Sequence, residues 1–290
     1  MDLPSAFVIG LLHPGEMGAA VGRCLTGAGY TVLWASEGRG PESAARAREA
    51  GLADAGTAAE MAERADLILS ICPPHAALDT AWAVQGFAGL YVDANAISPA
   101  TAREVSLMVE EGGATYVDGG IIGLPPVKPG HTRLYLSGER ADTVRRLFGG
   151  TPLDARVIGG GTFSASAIKM AYAAWTKGSA ALLLAARSLA RAEGVEDALV
   201  AEWTLSQPGL ADRSDGAARS AITKGWRWVA EMEEIAASMA AADLPDGFHQ
   251  AAAEIFRRAP RTEPDQPGDR AAGRPVDRVV SAIAGETARD

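Results

Sequence analysis

A chain of 290 residues exceeds the usual size of one domain, and a hydrophobic fraction of 48% supplies ample material for a core. The formal net charge of −9 argues against nucleic acid as a general partner, because phosphate binding needs a basic surface. The sequence shows no apolar run that could span a bilayer and no secretory leader, and its two cysteines make no disulfide framework. We therefore expect a cytoplasmic protein that binds neither membrane nor nucleic acid.

The first half of the chain alternates short β-rich runs with helical stretches. Several of the runs are continuously apolar, as expected of parallel strands that are covered on both faces. Such alternation predicts right-handed βαβ units and a doubly wound α/β sheet of the Rossmann type. The predicted strands are 6–10, 31–35, 67–71, 90–94, 115–118 and 132–137, and the predicted helices are 16–28, 42–50, 57–64, 99–111 and 139–148.

The pattern changes near residue 160. Residues 164–192 contain no proline and one glycine, which predicts a single long helix that Gly194 stops. We expect a dinucleotide-binding domain at 1–160, an all-α substrate and dimerisation domain at 161–258, and a linker with a short terminal helix at 259–290. The further predicted helices are 196–204, 213–242, with a break near residue 230 left open, 245–258 and 275–284.

A glycine-containing segment follows the first predicted strand. Gly10 can form a tight turn, Gly15 lets the backbone approach a pyrophosphate, and Gly18 lets the next helix pack close to the strand. The N-terminus of that helix offers N–H groups and a partial positive charge to phosphates. The turn is longer than the commonest pattern, so an ordinary βα loop is the alternative. The predicted cofactor-binding residues of this segment are Gly10, His13, Pro14, Gly15, Glu16, Met17 and Gly18.

The end of the second strand predicts which dinucleotide binds. NAD-binding proteins usually place Asp or Glu there to bind the ribose 2′-hydroxyl, whereas this chain has Ala35, followed by Ser36 and Arg39. An Arg guanidinium makes charge-assisted hydrogen bonds to phosphate oxygens, so we expect NADP rather than NAD. Two alternatives stay open, because Glu37 can take the ribose instead and Arg39 can be a solvated loop charge.

Two later strand ends carry further polar candidates. Asn95 follows an apolar strand at the sheet edge where doubly wound folds bind ligands. Its amide can contact the nicotinamide or the substrate, and a turn-capping role is the alternative. Cys72 and Pro73 begin a loop that can pass over the ribose. The four histidines and two cysteines show no metal-ligand spacing, so we expect no metal.

Lys169 is the candidate general acid/base. It lies on an otherwise apolar helix, so its ammonium must face a cleft or an interface, and burial can bring the pKa of a lysine toward neutrality. The alternative is a lysine that extends its amine to solvent. Tyr172 and Thr176 share its face of the helix and offer hydroxyl groups, although Tyr172 can equally be a core residue.

Read together, these residues resemble the β-hydroxyacid dehydrogenase and 6-phosphogluconate dehydrogenase superfamily, which includes 3-hydroxyisobutyrate dehydrogenases. Segment 93–99 looks like the loop that reaches the nicotinamide, segment 118–123 like the substrate-binding segment, and segment 161–169 like the start of the interdomain helix, with Lys169 in the catalytic position. Segment 169–178 is similar to a subgroup whose helical C-terminal domain has no assigned function. The resemblance implies a homodimer. The predicted substrate-contacting residues are Ile122, Gly123 and Thr176.

The chain also departs from that family. Ile122 stands where a Ser is typical, Ala173 where an Asn is usual, and Phe163 and Ala165 where glycines are usual. The contacts of ordinary β-hydroxyacids are therefore incomplete. The leading prediction is an NADP-dependent oxidoreductase that acts on a small hydroxy or oxo compound, with the lysine as acid/base. An imine reductase, in which Tyr172 or no residue supplies the proton, and a non-catalytic NADP-binding protein are the alternatives.

Overall fold

The computed structural model describes residues 7–261 and 274–285. The chain divides into two compact units, Met1–Met170 and Ala171–Asp290, and the division falls inside the predicted helix 164–192. The expected α/β unit followed by an all-α region is confirmed. Most of the predicted linker lies outside the described residues. Within the described ranges, no helix combines the length and the apolar character needed to cross a membrane.

One mixed sheet forms the centre of the N-terminal unit. Its described strands are β1 (Val8–Leu12), β2 (Thr31–Trp34), β3 (Ala53–Asp54), β4 (Leu67–Ser70), β5 (Leu90–Asp93), β6 (Thr115–Gly123), β7 (Thr132–Ser137) and β8 (Leu153–Val157). They lie in the order β3-β2-β1-β4-β5-β6-β7-β8, and only β6 and β7 pair in the antiparallel sense. The strand order reverses between β1 and β4, which is where doubly wound folds bind dinucleotides.

Helices cover both faces of this sheet. Each face has its own apolar core, one built around Leu11 and Val92 and the other around Ile68 and Met61. Local signals set the helix starts: the Ser98 hydroxyl, for example, accepts a hydrogen bond from the Thr101 N–H at 3.1 Å. The helices of this unit are α1 (Glu16–Gly27), α2 (Pro41–Glu49), α3 (Ala58–Arg64), α4 (Ala77–Trp82), α5 (Pro99–Glu111) and α6 (Ala141–Leu147).

The structure corrects several sequence predictions in this unit. β6 continues beyond Asp118, its predicted end, to Gly123, because its second half pairs with β7. The sequence does not predict two of the strands. β3 is only two residues long, and exposed residues at the end of β8 interrupt the apolar pattern of that strand. The sequence does not predict helix α4 either, because the two prolines that precede it are typical of a loop.

The C-terminal unit is all-α. It contains the greater part of α7 (Ser164–Ala192), followed by α8 (Glu196–Ser206), α9 (Leu210–Ala241), α10 (Gly247–Arg258) and α11 (Pro275–Ala284). The predicted bounds of α7 and α11 are confirmed. Helix α9 packs against α8, α10 and α11 and runs without interruption, so a break near residue 230 is excluded.

A buried ion-pair network joins the helices of this unit. The Arg187 guanidinium, 3% exposed, lies 2.8 Å from a Glu196 oxygen on α8 and 2.7 Å from an Asp215 oxygen on α9. Arg191 pairs with the same Glu196 at 2.5 Å and with Asp277 of α11 at 2.9 Å. Removing a partner of the buried Arg187 costs about 3–5 kcal/mol. The Arg191–Asp277 pair, whose side chains are 19% and 37% exposed, links α11 to α7 more weakly.

Candidate active site

His13, not Gly10, makes the turn that follows β1. Gly10 lies inside β1, where an added Cβ would stand 3.1 Å from the Met61 sulfur. His13 adopts the left-handed conformation with φ +67°, which His tolerates better than most residues. His13, Gly15 and Gly18 therefore have the commonest spacing of a dinucleotide turn, with His in place of the first glycine. The prediction of a longer turn closed by Gly10 is wrong.

Gly15 and Gly18 serve this turn for different reasons. A Cβ on Gly18 would overlap the carbonyl oxygen of His13, whereas a Cβ on Gly15 would meet nothing within 4 Å. Gly15 is also the N-cap of α1, and no side chain caps that end of the helix. A helix N-terminus of this kind presents N–H groups and the positive end of the helix dipole. The residues present therefore fit the pyrophosphate of a dinucleotide.

Two arginines adjoin the turn. Arg46 of α2 donates from Nε to the Pro14 carbonyl oxygen at 3.1 Å and so ties α2 to the turn. The sequence alone does not indicate this role of Arg46, because its spacing from Glu42 is that of an ordinary surface ion pair. Burial, helped by the positive charge of Arg39, lowers the pKa of His13 to about 4, so this imidazole is neutral near pH 7.

The loop after β2 is a compact turn. The Arg39 N–H donates to the Ser36 carbonyl oxygen at 3.1 Å, and Gly38 adopts φ +69°. Ser36 is part-buried, and Glu37 and Arg39 are exposed. Within the described part of the chain, the Ser36 hydroxyl and the Arg39 guanidinium form no hydrogen bond, so both are available to a ligand.

A row of buried polar side chains crosses four neighbouring strands. Ser70 of β4, Asp93 of β5, Asp118 of β6 and Ser137 of β7 are successive register partners, each at most 1% exposed. Burying polar groups is costly unless they are hydrogen-bonded. The row includes the last residues of β4, β5 and β7 and Asp118 within β6, and buried polar groups clustered in this way are candidates for a functional site.

Asn95 joins the loops that follow β4 and β5. Its Oδ1 accepts a hydrogen bond from the Cys72 N–H at 2.6 Å, and its Nδ2 donates to the Ser70 hydroxyl at 3.1 Å. Its own N–H donates to Asp93 Oδ1 at 2.9 Å. This arrangement favours the turn-capping role, and contact with a ligand through Asn95 or Pro73 stays a prediction. Burial raises the pKa of the Cys72 thiol to about 11, so it remains protonated.

The two buried carboxyl groups have different surroundings. Asp118 accepts hydrogen bonds from the Ser166 hydroxyl at 2.5 Å, the Ser166 N–H at 2.8 Å and the Ser137 hydroxyl at 3.1 Å. Asp93 Oδ2 has no partner among the described residues. Burial raises the pKa of Asp93 to about 7 and that of Asp118 to about 6. Asp93 therefore keeps its proton to higher pH than Asp118 does.

Asp93→Asn is expected to remove a pH-dependent loss of stability. A carboxyl group whose pKa rises on folding, here from 3.8 to about 7, stabilises the fold at low pH, and this contribution is lost as the pH rises between those values. Asparagine keeps the acceptor for the Asn95 N–H and cannot ionise. The Tm of the variant minus the Tm of wild type should therefore be at least about 3 °C higher at pH 8 than at pH 5.

Thermal unfolding followed by circular dichroism measures this difference. Asp79→Asn, at an exposed position of α4, is the matched control and should show no such pH dependence. An equal change in Tm at both pH values would contradict the ionisation of Asp93.

Helix α7 approaches β6 closely at Gly120. A Cβ there would overlap the Ala165 carbonyl oxygen and stand 3.1 Å from Lys169 Cβ. The Lys169 side chain is part-buried, and its Nζ donates to the Ile121 carbonyl oxygen at 3.0 Å. No carboxylate of the described residues pairs with it. Burial lowers the pKa of the amine to about 8, so Lys169 can exchange a proton near neutral pH.

The structure places the remaining predicted residues as follows. Ile122 is a buried residue of β6, and Gly123 ends that strand with φ +126°. Tyr172 is 47% exposed, which contradicts its alternative role as a core residue. The Thr176 hydroxyl donates to the Tyr172 carbonyl oxygen at 3.1 Å. Substrate contact by these residues stays a prediction.

The sequence matches two known families. Residues 7–143 match the NAD binding domain of 6-phosphogluconate dehydrogenase, and residues 190–259 match a domain of unknown function, DUF1932. An uncharacterized 28.5 kDa protein of Methanothermus fervidus is 32% identical over 143 residues, which are 49% of this chain and 54% of that protein. The chain thus spans about half the length of the curated relative that it matches.

Solved structures resemble this chain over most of its length. A conserved protein of unknown function, described as similar to 3-hydroxyacid dehydrogenases, is 26% identical with a TM-score of 0.64 and covers 87% of this chain and 98% of its own. A 3-hydroxyisobutyrate dehydrogenase of Mycobacterium tuberculosis, solved with L-serine, is 20% identical with a TM-score of 0.67 over 97% and 99% of the two chains. An imine reductase of Myxococcus stipitatus in complex with NADP+ is 20% identical with a TM-score of 0.55 over 95% and 99%.

A variant of the same imine reductase is solved with NAD+, so related folds hold either dinucleotide. At these identities the dehydrogenase and the reductase show likeness of fold alone. The matched sequence families and the turn at His13, Gly15 and Gly18 agree on a nicotinamide dinucleotide site in the N-terminal unit. The chain thus combines a segment that matches the NAD binding domain of 6-phosphogluconate dehydrogenase with a segment that matches DUF1932.

Proposed function

We propose that this protein is an NADP-dependent oxidoreductase that transfers a hydride between the nicotinamide and a small hydroxy or oxo compound, with Lys169 as general acid/base. The observation that carries the proposal is the Lys169 amine, which is held 3.0 Å from the Ile121 carbonyl oxygen and has a pKa of about 8. The bound nicotinamide supplies the hydride chemistry, and the protein must orient the substrate and handle one proton.

Lys169 can serve both directions of this reaction. When a carbonyl is reduced, its oxygen gains negative charge and the ammonium donates a proton to it. When an alcohol is oxidised, the neutral amine accepts that proton. Both forms are populated near pH 8, which is the condition that general acid/base catalysis needs. The Ile121 carbonyl oxygen accepts a hydrogen bond from one N–H of the Lys169 amine and so orients it. The remaining N–H groups of the amine can face the substrate oxygen.

The preference for NADP rests on the loop after β2. Ser36 and Arg39 would hold the 2′-phosphate, while Gly15 and the first turn of α1 would hold the pyrophosphate. The charge of Arg39 influences the pKa of both His13 and Cys72, so its guanidinium lies near the loops that follow β1 and β4. Such a position suits a group that binds the adenosine side of the dinucleotide.

Arg39→Ala is expected to raise the Kd for NADPH at least about tenfold, because a hydrogen bond between charged groups contributes about 1.5–3 kcal/mol. The Kd for NADH should change little, since NADH lacks the 2′-phosphate. Titration of cofactor fluorescence measures both constants. Arg48→Ala, on the exposed side of α2, is the matched control. Equal weakening of NADPH and NADH binding would contradict the assignment of Arg39.

An imine reductase is the second candidate function, favoured by one observation. Ala173 is 1% exposed and supplies no polar group where the resembling dehydrogenases carry an asparagine. A panel of keto acids, aldehydes and cyclic imines, assayed by NADPH oxidation, separates the candidates. Turnover of carbonyl compounds supports the leading proposal, and turnover of imines alone supports the second. Tight NADPH binding with no turnover would point to the non-catalytic NADP-binding protein.

We also propose that two copies of the chain associate through the C-terminal unit. No residue of α8 is buried, although the helix is apolar overall. Along α7, Trp175, Leu182 and Leu189 recur at heptad spacing and are 69%, 56% and 65% exposed. Large exposed apolar surfaces mark interaction sites. Light scattering at micromolar concentration should give twice the chain mass of 29.9 kDa, and a monomer would contradict the proposal.

A further inference from the structure

We propose that Asp118 is a positioning residue for Lys169: together with Ser137 it caps the first turn of α7 and so fixes where that helix sits on β6. The inference rests on the proposed role of Lys169 as proton donor and acceptor. Nothing in the sequence around the start of α7 predicts it, because both capping side chains come from distant strands.

The cap consists of three hydrogen bonds between two side chains of the sheet and the first turn of α7. Asp118 Oδ2 accepts the Ser166 N–H at 2.8 Å, and Oδ1 accepts the Ser166 hydroxyl at 2.5 Å. The Ser137 hydroxyl oxygen accepts the Ala165 N–H at 2.9 Å. The first N–H groups of a helix have no partner within the helix, so these contacts fix the helix end to β6 and β7. The positive end of the helix dipole favours an ionised Asp118 here.

The cap determines the position of the lysine through the helix. Lys169 follows Ser166 by three residues, so the two lie one turn apart on neighbouring parts of the same face. Gly120 sets how closely the helix approaches the strand at that level, since a Cβ there would overlap the Ala165 carbonyl oxygen. Asp118 and Ser137 therefore fix the helix along its axis, while Gly120 fixes its distance from β6. Neither capping residue contacts the Lys169 amine in the described structure.

The row of polar side chains explains how an ionised Asp118 can cap α7 although its carboxyl group is buried. Its register neighbour Asp93 has an Oδ2 without a partner among the described residues and ionises at higher pH than Asp118, so Asp118 gains its negative charge first. Asp118 is then the only carboxylate of the described residues that hydrogen-bonds to α7 at this end. The first turn of α7 therefore interacts with the negative charge of Asp118 and with both of its carboxylate oxygens.

Lysine titration tests the proposal without any substrate. The chain has four lysines, at 128, 169, 177 and 224, so full-length protein labelled with carbon-13 at lysine Cε gives four signals to follow by NMR. Lys169→Met assigns the relevant one, which should titrate near pH 8 in wild type. In Asp118→Asn the loosened first turn admits water, so the midpoint should rise by at least about one pH unit toward the ordinary value near 10.4.

The catalytic readout complements the titration. In Asp118→Asn the single-turnover rate of hydride transfer should fall at least about tenfold, with the Kd for NADPH within about twofold of wild type, because the cofactor turn lies elsewhere. Ser137→Ala removes one acceptor and should move both quantities in the same direction by less. It also replaces Asp118→Asn if that variant does not fold. Asp79→Asn is the matched control.

The outcomes separate the positioning role from the proposed function. A lower Tm with an unchanged Lys169 midpoint in both variants would show a merely structural role and overturn the proposal. A raised midpoint in Asp118→Asn supports it, even if no substrate has been found. If Lys169→Met keeps full activity while the midpoint still moves, the proposed function fails and the positioning of the lysine stands.

Discussion

Lys169→Met is expected to lower kcat for carbonyl reduction by about 10²- to 10⁴-fold, the usual contribution of general acid/base catalysis. Methionine keeps much of the apolar stem, so the change removes the proton donor without opening a large cavity. The Kd for NADPH should stay within about twofold, because the cofactor turn is formed by His13, Gly15 and Gly18 rather than by α7. Stopped-flow measurement of NADPH oxidation gives both the rate and the affinity.

The pH dependence gives an independent check on Lys169. In wild type the rate of reduction should fall as the pH rises through about 8, because the ammonium loses the proton that it must donate. The variant should lack this limb of the profile. Lys224→Met, at an exposed position of α9, is the matched control and should behave as wild type. Full kcat in Lys169→Met on a carbonyl substrate would contradict the acid/base role.

Gly15→Ala is expected to weaken NADPH binding at least about tenfold while leaving the fold intact. The space around a Cβ at Gly15 is open in the protein itself, so alanine meets no protein atom within 4 Å. The same Cβ would stand where the pyrophosphate must approach the backbone. Calorimetric titration measures the affinity, and thermal unfolding should show a Tm close to that of wild type.

Two other glycines of α1 provide the controls for this prediction. Gly27 also has open space around it, and Gly27→Ala should change neither binding nor stability strongly. Gly18→Ala should instead destabilise the fold by about 1–3 kcal/mol, because its Cβ would overlap the His13 carbonyl oxygen. Wild-type affinity for NADPH in Gly15→Ala would place the pyrophosphate elsewhere.

Sequence patterns predicted the elements that depend on local signals. The long helix Ser164–Ala192 and the terminal helix Pro275–Ala284 begin and end where predicted, because uninterrupted helix formers are bounded by glycine or introduced by proline. The alternation of apolar runs and helices likewise predicted the doubly wound sheet. Lys169 stood out because a lysine on an apolar helix requires a special environment, and the structure gives it one.

Contacts between distant residues could not be predicted in this way. The predicted role of Gly10 is wrong because this residue lies in β1 against Met61 of α3, a contact between distant residues. No local pattern shows that His13 takes the left-handed conformation. The antiparallel pairing that extends β6 depends on β7. The cap of α7 by Asp118 joins residues 48 positions apart, and only the fold brings them together.

Titration calorimetry of the protein with NADPH and with NADH tests the proposed cofactor site. We propose that the turn of His13, Gly15 and Gly18 holds a nicotinamide dinucleotide, and that Ser36 and Arg39 select its phosphorylated form. We expect NADPH to bind at one site per chain and more tightly than NADH. Folded protein that takes up neither cofactor would contradict the account.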